Sequence, residues 1–153
     1  MADEVFAHRL RTRRLAAGLT QRRLAEVSGV KQPLIAALER GARQPTEAVR
    51  SALEDALHVR PSEVLRVTRD RVADLVHATG ATGVWVYGSI ARGEDRPGSD
   101  VDLLVEFPPD ADIVTLLTLE DGLARLLTVP VDVISTGGTS RVLENARAEA
   151  VLL

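Results

Sequence analysis

The chain has no cysteine among its 153 residues, which excludes a disulfide framework and a thiolate-ligated zinc site. No stretch approaches the eighteen or so uncharged apolar residues of a membrane-spanning helix. Lysine is nearly absent too: Lys31 stands alone beside eighteen arginines, a matter of codon usage that carries little functional information. The amino terminus, MADEVFAHRL, places acids and bases where a secretory leader needs an apolar core, so a cytoplasmic location is expected. What is present is 45% apolar and 27% charged residue content, a composition that folds rather than stays disordered. The length allows one ordinary domain or two very small ones.

Charge is distributed unevenly. Up to Arg71 there are fourteen Lys/Arg against nine Asp/Glu, and beyond it five Arg against thirteen Asp/Glu, so a segment of net +5 precedes one of net −8. A nucleic-acid-binding module joined to a metal-carboxylate module has this asymmetry. So does a chance run of solvated helix faces, and the motifs have to decide.

In the basic half, Phe6, Leu10 and Leu15 recur at helical spacing up to Ala17, and Gly18 follows where a left-handed terminus is wanted. Thr20 is an N-cap, flanked by Leu19 and Leu24 as a hydrophobic staple, for a second helix from Gln21 to about Val27. Ser28-Gly29-Val30 makes a turn, a third helix runs to Arg40, and Gly41 stops it. Pro45 fits the first turn of a fourth helix carrying Val49, Leu53 and Leu57 inward. Two short helices joined by a Gly-containing turn inside a basic helical unit have the sequence form of a helix-turn-helix.

These residues resemble the Cro/lambda-repressor-like (XRE) family: Leu10-Arg11, Arg14, Gly18-Leu19-Thr20-Gln21, Leu24-Ala25, Gly29-Val30 and Glu39-Arg40-Gly41 fall at its spacing over residues 6 to 65. The resemblance implies that Glu39 pairs with Arg14, that Gln32 reads a base edge, and that Gln21 braces it. A glutamine amide donates and accepts in one plane, which suits the N6/N7 edge of adenine. Pro33 and Ala37 offer only apolar contact, so sequence discrimination is expected to be modest. Lys31, Arg22, Arg23 and Arg43 are candidate phosphate contacts.

A further helical pattern begins at Pro61-Ser62-Glu63, with Val64, Leu65, Val72, Leu75 and Val76 as its apolar members, and ends at Thr79-Gly80. The boundary is expected near Arg66, giving domains 1–65 and 66–153. His8, His58 and His77 fall on helices at scattered positions without metal-ligand spacing, as surface residues.

The acidic half carries the chemistry. Gly83-Val84-Trp85-Val86-Tyr87 reads as a buried strand, with Trp85 and Tyr87 as core residues, and it delivers Gly88-Ser89. A Gly-Ser directly after a buried strand offers amide and hydroxyl donors to phosphate oxygens. Ile90-Ala91-Arg92 forms a helical turn, and a second strand runs from Asp100 to Phe107. Its period of two puts Asp100 and Asp102 on one face and Val101, Leu103 and Val105 on the other, so the two carboxylates, about 7 Å apart by Cα, can share divalent cations. A third strand, Val131 to Ile134, buries the single carboxylate of Asp132 in an apolar run, costing several kcal/mol unless a cation meets it. Asp110, Asp112, Glu120 and Asp121 read as a solvated helix surface.

Gly88-Ser89, ten residues, Asp100-Val101-Asp102 and a later Asp132 resemble the minimal nucleotidyltransferases of the DNA polymerase beta superfamily, over residues 67 to 153 with a closing helix from Leu143 to Leu153. Ile90 departs from the arginine of many antitoxin-type relatives, which leaves Arg92 as the nearest side-chain clamp. The resemblance implies that Asp100 and Asp102 hold two Mg²⁺ ions. It implies that Asp132 ligates the ion nearest the acceptor hydroxyl and helps deprotonate it, and that Gly88, Ser89 and Arg92 grip the phosphates of ATP or another NTP. The fold class expected is α+β: an all-α helix-turn-helix domain followed by a small mixed-sheet transferase domain.

The second half leaves no room for a domain selecting a small molecule or an RNA end, so another macromolecule is expected to supply the acceptor. Minimal transferases of this kind resemble antitoxins that silence HEPN-type toxins by adenylylation. The expected protein is an antitoxin-like transferase that represses its own operon as a homodimer on double-stranded operator DNA. A transcription regulator whose transferase fold only senses nucleotide or binds a partner is the alternative.

Overall fold

The computed structural model of the protein describes residues 2–153, with side-chain surroundings from residue 4 onward. It divides into two compact units, the first ending at Val59 and the second beginning at Arg60.

The first unit is helical: α1 (Ala2–Ala16), α2 (Gln21–Ser28), α3 (Gln32–Glu39) and α4 (Glu47–Ala56). Each start has a local cause. The Thr20 hydroxyl accepts from the Arg23 N–H to cap α2, and the Thr46 hydroxyl accepts from the Val49 N–H to cap α4. Pro45 consequently stands before the helix rather than in its first turn, because a threonine cap displaces the start by two residues. Between α2 and α3, Gly29 sits at φ 72°, a left-handed conformation that closes α2 and that a side chain would strain. Phe6, Leu10, Leu24, Val30, Ile35, Leu38, Leu53 and Leu57 form the core. Leu15 does not join them and is 46% exposed, because Ala16, one position on, takes the inward place.

The second unit runs α5 (Pro61–His77), β1 (Gly83–Tyr87), α6 (Gly88–Ala91), β2 (Val101–Glu106), α7 (Ile113–Leu127), β3 (Val131–Ser135), α8 (Arg141–Glu149) and β4 (Val151–Leu152). The four strands form one sheet in the order β3-β2-β1-β4. β1 is antiparallel to both β2 and β4, whereas β2 and β3 run parallel. This is the mixed sheet expected of an α+β chain.

Alternation divides the sheet into two faces. Val84, Val86, Val101, Leu103, Val105, Val131 and Val133 are buried on the face that α5 and α7 cover, together with Val64, Val72, Val76, Leu119, Leu123 and Leu127. Truncating one of the fully buried leucines to alanine costs about 2–5 kcal/mol. The opposite face carries Trp85, Tyr87, Leu104, Asp102, Asp132 and Ile134. Trp85 and Tyr87 are therefore half-buried residues of the open face, not core residues.

Several expectations change here. Leu75 points outward from α5, and His58 lies in the segment after α4 rather than on a helix. Asp100 stands just before β2, which begins at Val101. The final helix stops at Glu149, because Ala150 turns to an extended conformation (ψ 133°). The β-branched Val151 can then pair with Val86, so a short fourth strand replaces the last turn expected of that helix. Glu120 and Asp112 are more than solvated surface: Glu120 accepts from the Val133 N–H, and Asp112 caps α7 by accepting from the Thr115 N–H.

Candidate functional site

The open face of the sheet gathers the chemistry-bearing residues. Asp102 on β2 is the register partner of both Tyr87 on β1 and Asp132 on β3. All three therefore stand in one row across the sheet, about 5 Å between neighbouring strands. Asp100 lies two residues before Asp102, and its negative charge reaches the same carboxylate. Burial, then the charges of Asp100, Asp132 and Glu149, push the Asp102 carboxyl above its ordinary value, with Arg92 opposing. Burial and the charges of Asp102, Asp132 and Glu149 also push the Tyr87 phenol up to about 12, so Tyr87 stays a neutral hydroxyl.

Asp132 is exposed, contrary to the expectation of a buried carboxylate. On β3, the edge strand of the sheet, the Asp132 carboxylate keeps its water, so no desolvation penalty has to be offset there. Among the described residues, no hydrogen bond or ion pair engages the carboxylates of Asp100, Asp102 or Asp132, and no three acidic or histidine side chains close on a common point. Their chemistry nonetheless suits a hard divalent cation: all three are carboxylates, Asp102 and Asp132 share a sheet face, and the only cation among the described residues acting on the Asp102 carboxyl is Arg92.

Gly88 ends the row. Its φ of 69° is left-handed, and a Cβ there would overlap Asp102 Oδ2, so only glycine lets the chain pass this close to the acid. The Gly88 N–H donates to Glu149 Oε1 at 3.0 Å. Arg92 donates through Nη1 to Glu149 Oε2 at 2.7 Å and through Nε to Glu94 at 2.9 Å. Arg92 thus lies beside the Gly88 turn already paired with two carboxylates. Ser89, half-buried, follows Gly88 in α6. The Arg92 hydrogen bond, helped by the Gly88 N–H, holds Glu149 below the usual carboxylate range.

Glu149 is the site residue that sequence reasoning missed. It lies 61 positions from Gly88, in a helix of ordinary polar composition, and nothing local marks it. Asp95 was missed as well. Its side chain is wholly buried, accepting from the Ser62 N–H at 2.9 Å and pairing with Arg60 at 2.5 Å, which fastens the loop between Gly93 and Asp100 to the start of α5. A further groove on the open face, about 990 Å³, lies between Trp85, Leu104, Phe107, Pro108, Thr136 and Arg147.

In the helical unit, Glu39 takes two hydrogen bonds from Arg14, at 2.6 and 3.0 Å, in a nearly buried pair. The same carboxylate accepts from Gln21 Nε2 at 2.8 Å, and Gln21 Oε1 accepts from Gln32 Nε2 at 3.0 Å. A chain of four side chains therefore fixes the amide of Gln32 at the start of α3. Gln32, Lys31, Pro33 and Arg43 are exposed, and Ala37 is half-buried on the same helix as Gln32. Arg23 and Arg22 both face Glu26, at 2.8 and 3.9 Å, which reduces their charge toward a phosphate.

Comparison with known proteins agrees with this geometry. Residues 10–64 match the family described as "Helix-turn-helix", and residues 65–150 match "Nucleotidyltransferase domain". A relative from Methanocaldococcus jannaschii named "Putative protein adenylyltransferase" is 34% identical over 74 residues, which is 48% of this chain and 86% of that one. A "Protein adenylyltransferase MntA" from Thermococcus cleftensis is 38% identical over 55 residues, 36% of this chain and 56% of that one. A solved structure described as a "putative minimal nucleotidyltransferase" superposes with a TM-score of 0.54 at 41% identity, covering 60% of this chain and 95% of the other. No helix among the described residues is long and apolar enough to cross a membrane. With 86 of its 153 residues matched, and with its Gly-Ser turn and acids on one sheet face, the chain belongs to the nucleotidyltransferase-domain family, carried behind a helix-turn-helix module.

Proposed function

We propose that the protein is an antitoxin-like nucleotidyltransferase that moves AMP from ATP to a hydroxyl of a partner toxin of HEPN type, and that its amino-terminal module represses the operon encoding it. The working parts are residues 1–65 for DNA and residues 66–153 for transfer. The single observation that carries the reading is the row of Tyr87, Asp102 and Asp132 ending against the Gly88 turn. The adenylyltransferase names of the relatives support the choice of adenylyl as the transferred group.

Asp100, Asp102 and Asp132 would hold Mg²⁺, which when bound supplies charge neutralisation to the triphosphate and the leaving pyrophosphate. Gly88, Ser89 and Arg92 bind and orient the β- and γ-phosphates. Asp132, exposed and outermost in the row, takes the proton of the acceptor hydroxyl as its oxygen bonds the α-phosphorus. The bond from that phosphorus to the β-bridging oxygen breaks, and pyrophosphate leaves. Tyr87, neutral beside the acids, keeps its proton. On the DNA side, Gln32 reads adenine while Gln21 braces it, and Lys31 and Arg43 meet phosphates, with Pro33 and Ala37 in apolar contact. A homodimer on a palindromic operator in the cytoplasm completes the reading.

The test is incubation of the full chain with Mg²⁺, the protein encoded by the adjacent reading frame, and ATP labelled at either the α- or the γ-phosphate. Label from the α position alone should appear on the partner. No transfer from any nucleotide refutes the enzymatic part. Toxin neutralisation that survives Asp100→Ala with Asp102→Ala would favour the nucleotide-sensing regulator.

A further inference from the structure

Glu149 is hydrogen-bonded both to the Gly88 turn and to Arg92. Its two carboxylate oxygens take the Gly88 N–H, at 3.0 Å, and the Arg92 guanidinium, at 2.7 Å. These are two of the three donors assigned to nucleotide. A carboxylate and a phosphate oxygen present the same acceptor chemistry to an amide and a guanidinium. We propose that Glu149 is an internal stand-in for the nucleotide's phosphate, holding the cradle in the unliganded protein and leaving it when triphosphate binds. This rests on the reading of Gly88, Ser89 and Arg92 as the phosphate-binding set.

The surroundings of Glu149 fit a contact that breaks and reforms. The residue is the last of α8, and the chain turns extended at Ala150 directly after it. The helix is fastened elsewhere, by the buried Leu143 and Ala146 and by the Arg147 bond to the Thr136 carbonyl at 2.6 Å. Releasing Glu149 therefore does not require α8 to leave the sheet. Arg92 stays aimed after release, because Glu94 holds its Nε independently at 2.9 Å. Electrostatics favour the exchange as well. Glu149 adds a fourth negative charge to the neighbourhood of Asp102, and its departure frees one cationic head for the incoming polyphosphate.

The nucleotide affinity of the protein is then set partly by this competition. A site free of its internal occupant only part of the time binds with an apparent Kd raised by the inverse of that fraction. Removal of Glu149 should tighten binding.

Calorimetric titration of the full chain with inorganic tripolyphosphate, and with ATP plus Mg²⁺, tests this on the wild type, Glu149→Ala, Glu149→Gln and Arg92→Ala. Glu149→Ala should bind tripolyphosphate about tenfold more tightly than wild type, and Arg92→Ala should bind it more weakly. Glu149→Gln, nearly isosteric, should also tighten binding and covers the case in which the alanine variant unfolds on thermal melting. Wild-type binding as tight as, or tighter than, that of both Glu149 variants overturns the stand-in, while leaving the phosphate cradle intact. Failure of every folded form to bind either probe overturns the cradle and the stand-in together.

Discussion

Asp102 and Asp132 are register partners on adjacent parallel strands, so two carboxylates project from the same face of the sheet with no helix laid over Asp132. Folding thus places like charges side by side. Such an arrangement costs stability in the free protein and stores affinity for a cation. The two effects are separable by one substitution.

Asp102→Asn should melt at a higher temperature than wild type in the absence of divalent ions, and should lose transfer activity by at least about a hundredfold. The sign follows from the raised Asp102 carboxyl: its ionised form is disfavoured in the folded state, so the penalty exists above the folded value and is relieved as pH falls through it toward the unfolded one. The thermal advantage of Asn over Asp should accordingly shrink as the solution is acidified through that window. Melting curves from pH 7 to pH 4 with chelator present read it.

Asp95 behaves in the opposite sense. Burial alone would raise its carboxyl, but the Ser62 donors and Arg60 outweigh burial and hold it low. Its stabilisation is present above the unfolded value of about 3.9 and is lost as pH falls through the lower folded one. Asp95→Ala should cost about 2–3 kcal/mol at pH 7, because the Arg60 head and the Ser62 N–H lose this acceptor. Urea unfolding at pH 7 measures the loss, and the gap between variant and wild type should narrow near pH 3.

Glu39→Ala leaves Arg14 nearly buried without its carboxylate, keeping only the Leu19 carbonyl on Nη1 at 2.7 Å, and removal of one member of such a pair costs about 3–5 kcal/mol. It also releases Gln21, so the orientation of Gln32 is lost with it. Unfolding should begin in the helical unit, with amides of α2 and α3 exchanging faster than those of the sheet in hydrogen-exchange measurements.

On DNA from upstream of its own reading frame, Gln32→Ala should weaken binding by about 1–3 kcal/mol and relax selectivity at an adenine position. Arg43→Ala should instead weaken binding to all sequences and lower the salt slope by about one. Filter binding across a salt series separates the two. Equal losses on specific and unrelated DNA for Gln32→Ala would contradict its role in reading bases.

Both folds were legible in the sequence because their markers are local. Gly18 to Leu24 encodes a cap and a staple within seven residues, and Gly88-Ser89 with Asp100-Val101-Asp102 encodes a turn and a strand face within fifteen. Features that depend on distant pairing were not. Glu149 reaches Gly88 only through the packing of α8, and the β4 pairing replaced an expected helical turn because Val86 offered a free strand edge. The apolar run around Asp132 predicts a buried carboxylate, whereas the side chain is exposed, because alternation identifies a face but not what covers it.

If the protein transfers adenylyl groups as proposed, Asp100, Asp102 and Asp132 gather a divalent cation beside the Gly88 turn when nucleotide is present. Electron paramagnetic resonance of Mn²⁺ titrated into the full chain with ATP measures this directly. Bound Mn²⁺ should rise when protein and ATP are present together, and the excess should vanish in the Asp100→Asn, Asp102→Asn double variant. Equal Mn²⁺ binding by the wild type and the double variant would contradict it.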